Sequence, residues 1–200
     1  MNDNITLLTL TLIFYLIMDP VGNIQSYLSL FKDTPPDRQK KIAWREMLIA
    51  LGAMFFMYLC GEFFFSFLSL SEVAVRCAVG VIMFLIAIKI LFPDQTSLRA
   101  NLPAGEPFII PLAIPLIAGP ALLANILLFG HMEHCRPMMV TAILFSWMAA
   151  CATLILAPQL NRVLGKNGLS AAEKLMGMVL VMLAIQRFFE GVQQLVAERG

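Results

Sequence analysis

The sequence predicts an all-α membrane fold: six transmembrane helices arranged as two inverted three-helix repeats, with the first and fourth helices broken. Three observations lead there. Six apolar stretches each reach the ~20 residues that a helix needs to cross a bilayer. Lys and Arg gather in alternate connections, and the third stretch resembles the sixth while the first and fourth are both interrupted by proline and glycine. The composition agrees: of 200 residues 60% are hydrophobic and only 14% charged, too apolar for a wetted surface around a soluble core. A formal net charge of +1 provides no basic field for nucleic acid, so nucleic-acid binding is set aside and the expected surroundings are the lipid bilayer.

The six stretches run over residues 5–31, 47–68, 73–92, 108–129, 138–160 and 171–195. Their connections are short, so the chain reads as one integral membrane domain over residues 1–200, with repeat one at about 5–92 and repeat two at about 107–195. The first residues, Met1 to Asn4, lack the basic region of a signal peptide, and the first stretch is expected to remain in the mature protein. Connections one, three and five hold Lys32, Arg38, Lys40, Lys41 and Arg45, then Lys89 and Arg99, then Arg162, Lys166 and Lys174. The other side holds only Arg76, Arg136, Arg187 and Arg199. The positive-inside bias makes the odd connections cytoplasmic, and an even number of spans then puts both termini in the periplasm.

When Gly80 is laid on Gly177, the third and sixth stretches run together without a gap: Ala87-Ile88 falls on Ala184-Ile185, Lys89 on Gln186 and Phe92 on Phe189. The first and fourth share a rarer feature, an interruption near the middle. One reads Met18-Asp19-Pro20-Val21-Gly22-Asn23 and the other Pro111-Leu112-Ala113-Ile114-Pro115, then Gly119-Pro120. Three spans per half is an odd number, so the second half must insert upside down. Proline removes a backbone donor and clashes with the preceding turn, yet it suits the first position of a new helix. Pro20 and Pro120 should therefore each open a second half-helix near the bilayer centre. Paired interruptions of this kind point to a transporter site, whereas a single kink would point to packing.

The start of a half-helix exposes N–H groups and carries positive potential, which suits a carboxylate. At Gly119-Pro120 no acidic side chain competes, and glycine lets a ligand approach the backbone. Asp19 is the acidic residue nearest the middle of a span, where a charge costs roughly 3 kcal/mol or more unless paired or hydrated. It has two readings: a group that meets a substrate amine, a proton or a sodium ion with help from Asn23, or an N-cap that only holds the break open. Asn125 could reach the same cavity or hydrogen-bond between helices. A small zwitterion would use both breaks, its carboxylate toward Gly119-Pro120 and its ammonium toward Asp19. The substrate-binding candidates are thus Asp19, Pro20, Gly22, Asn23, Pro115, Gly119, Pro120 and Asn125.

The remaining polar residues read as peripheral. Glu62 lies near the outer end of the second span. Arg45, Glu46 and Lys89 lie at inner ends, where snorkelling accounts for them, and Gln186 shares the reading of Lys89. His131, His134 and Cys135 flank Glu133 without a zinc signature, so no metal or cofactor is expected. Cys60, Cys77, Cys135 and Cys151 show no paired spacing and stand outside both broken spans, which argues against a transmembrane thiol-electron carrier. No nucleophile with a base is apparent within the bundle, so enzyme activity is not expected. A channel for small solutes shares every feature of a carrier at this level. Gly80 and Gly177 could pack helices within a protomer or in a homo-oligomer.

The chain resembles the MarC family of bacterial inner-membrane proteins, and within it the YhgN-like branch. The likeness covers nearly the whole sequence. It rests on Met18-Asp19-Pro20-Val21-Gly22-Asn23, on Arg45-Glu46-Met47 opening the second span, on Leu102-Pro103-Ala104-Gly105-Glu106-Pro107-Phe108, and on Pro111 to Pro120. Ala121 departs from the pattern, standing where many members have Gly or Thr. The resemblance implies transport or export of small neutral amino acids. The orientation is directly testable: alkaline phosphatase fused after Gly200 is expected to be active, and fused within residues 93–107 inactive.

Overall fold

The computed structural model describes residues 6–30, 35–92, 118–132 and 136–199, and every regular element among them is an α-helix. In chain order these are α1 (Leu7–Met18), α2 (Asn23–Leu30), α3 (Pro36–Phe67), α4 (Glu72–Leu91), α5 (Pro120–Met132), α6 (Arg136–Ile155) and α7 (Ala157–Arg199). Four segments are long and apolar enough to cross a membrane: Lys41–Phe67, Glu72–Leu91, Arg136–Ile155 and Ala157–Ala197. Two shorter apolar helices, Leu7–Met18 and Pro120–His131, stand where the broken first and fourth spans are expected. Pro111 and Pro115 lie outside the described residues, as do Glu133, His134 and Cys135.

Two boundaries differ from the sequence expectation. α3 begins at Pro36, well before Met47, because the stretch read as a polar connection is an amphipathic continuation of the span. Ile42, Ala43, Met47 and Ala50 are buried on one face, while Arg38, Lys41, Trp44 and Arg45 are exposed on the other. Average hydropathy misses such a face because the charges dilute it. The fifth connection, expected around residues 161–170, is also helical. α6 stops at Ile155, and α7 runs from Ala157 through a kink at Gly165, where φ is 65°.

The turn from α3 to α4 is a Schellman motif. Leu70 N–H donates to Phe65 O at 3.0 Å and Ser69 N–H to Ser66 O at 3.3 Å, with Ser69 in the left-handed region at φ 48°. The reversal lets α4 return along the bundle, where its main partner is α7. The order of contacts makes the two antiparallel: a Cβ on Gly191 would meet Cys77, one on Gly80 would meet Phe188 N at 2.8 Å and Ala184 O at 3.0 Å, and one on Gly177 would meet Ile90 Cγ2 at 2.8 Å. α1 packs mainly on α6, where Tyr15 OH and Thr153 Oγ1 are 3.0 Å apart, and α5 packs mainly on α3. Trp147 Nε1 donates to Met47 O at 2.8 Å, tying α6 to α3. The outer surface of the spans carries large apolar side chains: Leu59 and Met182, for example, are 75% and 62% exposed, as lipid-facing residues should be.

These close approaches set an expectation for stability. Gly80→Val should destabilise the protein by about 1–3 kcal/mol through overpacking. Gly52→Ala, whose new methyl meets nothing within 4 Å, should stabilise it by up to about 1 kcal/mol through helix propensity. Thermal unfolding of both variants in one detergent checks the opposite signs.

Candidate functional site

α1 ends because Asp19 leaves the helix. Its backbone is left-handed, with φ 45° and ψ 56°, and its N–H donates to Leu16 O. From there Asp19 organises the next segment. Its carbonyl accepts from Asn23 N–H and its carboxylate Oδ1 from Gly22 N–H, both at 3.1 Å. These are the two hydrogen bonds of an N-cap, made from an unusual backbone conformation. Pro20 follows where a missing N–H costs nothing. The expectation that Pro20 opens the half-helix is corrected by one turn: Pro20, Val21 and Gly22 form the turn, and α2 starts at Asn23.

The turn is tightly determined. Asp19 is 3% exposed and Asn23 1%, and Asn23 Nδ2 donates to Met18 O at 3.0 Å, satisfying a carbonyl that the end of α1 would otherwise orphan. Gly22 is required by space: a Cβ there would lie 2.8 Å from the Asp19 carboxylate carbon. The carboxylate occupies the position a side chain at residue 22 would take.

The second interruption is built differently. Pro120 is the first residue of α5, as expected, and Gly119 O accepts from Leu123 N–H at 3.1 Å. Gly119 has no side chain to cap the helix, so the N–H groups of Ala121 and Leu122 have no acceptor within it. Asn125 lies one turn further, fully buried. Its Nδ2 donates back to Ala121 O at 2.8 Å, which settles its hydrogen bond within its own helix, and its Oδ1 has no partner among the described residues. Backbone donors, positive helix potential and a buried amide oxygen thus lie together on the first turns of α5. The two broken spans touch where Phe14 meets Phe129 edge to face, with centroids 6.0 Å apart.

Several residues escaped the sequence reading. Glu46 does not snorkel: it is fully buried, paired with Arg45 at 2.8 Å, while the Arg45 side chain is 43% exposed. Its place within the stripe of Ile42, Ala43, Met47 and Ala50 was the available signal. Arg187 is buried too, its guanidinium 4.8 Å from the Phe129 ring centroid and 2.8 Å from Glu190. Arg76 pairs with Glu72 at 2.6 Å and approaches Glu190 at 3.8 Å, so two arginines and two glutamates join α4 to α7. The alignment of the repeats places Arg187 opposite Ile90, an anomaly that marks it. Lys89, Gln186 and Glu62 are exposed. Among the described residues, no group of acidic, histidine or cysteine side chains could hold a metal ion. An apolar cavity of about 510 Å³, lined by Leu8, Leu12 and Phe145 among others, opens between α1 and α6; its lining includes neither Asp19 to Asn23 nor Gly119 and Pro120.

The family model for the MarC family integral membrane protein matches residues 5–196. The chain belongs to the MarC family. It is thus a multi-pass inner-membrane protein, of the same kind as a UPF0056 inner membrane protein YhgN of Escherichia coli, to which it is 42% identical over 193 residues, covering 94% of this chain and 96% of the relative. A UPF0056 membrane protein of Buchnera aphidicola subsp. Baizongia pistaciae is 39% identical, with the same coverage. One of Chlamydia pneumoniae is 32% identical over 93% of each chain. No solved structure matches. The names of these MarC-family relatives state membrane residence and no substrate.

The geometry of the first break gives a paired expectation. Asn23→Ala should cost about 1–3 kcal/mol, because it strips the partner from the buried Met18 carbonyl. Gly22→Ala should cost a similar amount by displacing the Asp19 carboxylate. Thermal unfolding in detergent measures both.

Proposed function

We propose that this protein is a secondary transporter or exporter of small neutral amino acids, working by alternating access through a central site between two inverted three-helix halves. The observation that carries the reading is the pair of interrupted spans. One presents a buried carboxylate at Asp19, and the other presents a helix start at Gly119 and Pro120, where glycine offers no capping side chain, one turn before the buried Asn125. A zwitterion has the complementary charges, an ammonium for the first and a carboxylate for the second. Pro115, Pro20, Gly22 and Asn23 would complete the walls of the site.

The packing supports an inverted repeat. The shift that carries Gly80 onto Gly177 also carries Leu91 onto Phe188, and Gly80 faces Phe188 just as Gly177 faces Leu91, at 3.3 Å from its Cδ2. A two-fold relation between the halves maps this antiparallel interface onto itself. Beyond that interface the most extensive pairings are α1 on α6 and α5 on α3, the half before the break in one span and the half after it in the other. Each broken span therefore leans on the second helix of the opposite half. In this reading α4 and α7 form the fixed axis, and the α1–α6 and α3–α5 pairs tilt about it to open the site to one side and then the other. A proton or sodium ion at Asp19 is the natural coupling ion, since a carboxylate is the group that either would neutralise.

Counterflow of labelled alanine, glycine, serine and threonine into proteoliposomes, with proton and sodium gradients imposed in turn, tests the proposal. Wild type should show saturable counterflow. Asp19→Asn should reduce it about tenfold or more, which a lost interaction of about 1.4 kcal/mol suffices to produce, while insertion stays intact. Linear, unsaturable flux that cannot drive exchange would replace the carrier by a channel.

A further inference from the structure

Phe129 is fully buried on α5, one turn beyond Asn125 and on the same face. On that face it follows Asn125, whose Oδ1 has no partner among the described residues. Two groups fix its ring. Phe14 from α1 meets it edge to face at 6.0 Å, and the Arg187 guanidinium from α7 lies over it at 4.8 Å. Arg187 is itself held by Glu190, which also faces Arg76 on α4. Three helices therefore converge on one aromatic ring. With its charge met by Glu190, the Arg187 guanidinium still lies over the ring, a cation–π contact that opposes movement of the ring.

We infer that Phe129 is a specificity-determining residue: with Phe14 it forms the wall of the central site that limits the substrate side chain to a few atoms, and Arg187 is the positioning residue that keeps the ring in place. The inference rests on the carrier reading above. In that reading α1 and α5 run in opposite directions, so Asp19 and Asn125 both lie about one turn, roughly 6–8 Å, to the same side of the Phe14–Phe129 contact. A substrate bound between Asp19 and Asn125 then has its side chain directed at the rings or away from them. Directed at them, glycine, alanine, serine and threonine fit, and leucine collides with a ring that three helices prevent from turning. The position occupied by Arg187 explains why the ring cannot yield: rotation of the ring would break the stacking of a cation that is already buried.

The test is counterflow of labelled alanine and labelled leucine in parallel, for wild type, Phe129→Ala, Phe129→Leu, Phe14→Ala and Arg187→Met, each checked for a monodisperse profile in detergent. Wild type should carry alanine and exclude leucine. In Phe129→Ala and Phe129→Leu the leucine-to-alanine ratio should rise about tenfold or more, whatever the change in alanine counterflow itself, the worth of a methylene or more in a fitted pocket. Phe14→Ala should raise the ratio less. Arg187→Met should raise it partially, with Arg187→Lys restoring the wild-type ratio, a change in selectivity that a merely structural role would not produce. Folded Phe129 variants that carry alanine and still exclude leucine overturn the inference, as do folded variants that all lose alanine with no gain of leucine. Wild type inert toward every amino acid removes the carrier reading itself, a result separate from either.

Discussion

In lipid there is no water to satisfy a backbone N–H or C=O, and this demand governs the whole chain. A continuous helix meets it automatically; an interrupted one does not. At the first interruption the debt falls on three residues. Asp19 accepts from two backbone N–H groups and turns left-handed to do so, Asn23 covers the last exposed carbonyl of α1, and Gly22 vacates the volume that the carboxylate fills. Remove any one and the other two lose their purpose. At the second interruption Gly119 has no side chain to offer the first donors of α5, so the two breaks differ: one carries its own capping carboxylate and the other does not.

The rest of the bundle serves to hold those two breaks in place. Apolar attraction between helices is absent where the solvent is itself hydrocarbon, so close backbone approach has to do the work. Gly80, Gly177 and Gly191 supply it along α4 and α7. The ionic group of Glu72, Arg76, Arg187 and Glu190 adds a charge-neutral tie at one end of the same interface. On this rigid pair the interrupted helices are mounted indirectly, each against a helix from the other half of the chain.

Much of this was legible in the sequence. Four of the apolar stretches read from the sequence are helices long enough to cross a bilayer, and two shorter apolar helices stand beside the proline and glycine interruptions. Gly80 and Gly177, aligned from sequence, prove to be sites of near-contact between α4 and α7. What escaped was everything that depends on helical phase or on partners distant in the chain. The first turns of α3 were hidden because Lys41, Trp44 and Arg45 alternate with Ile42, Ala43 and Met47, and an average over such residues looks like a loop. Glu46 was assigned to the surface for the same reason. Arg187 could be singled out only as a mismatch with Ile90, and its place over Phe129 depends on a contact between helices far apart in sequence. The left-handed backbone of Asp19 is likewise a product of its surroundings, since nothing local forbids the ordinary cap.

The hydrogen bond from Gly22 to Asp19 has one more consequence. The carboxylate oxygen that fixes the turn belongs to the same group that any cation entering the bundle would seek. In the proposed carrier a bound cation and the Gly22 N–H would draw on a single acceptor group, so the ion would act on the joint between α1 and α2 directly, through the side chain that closes the turn.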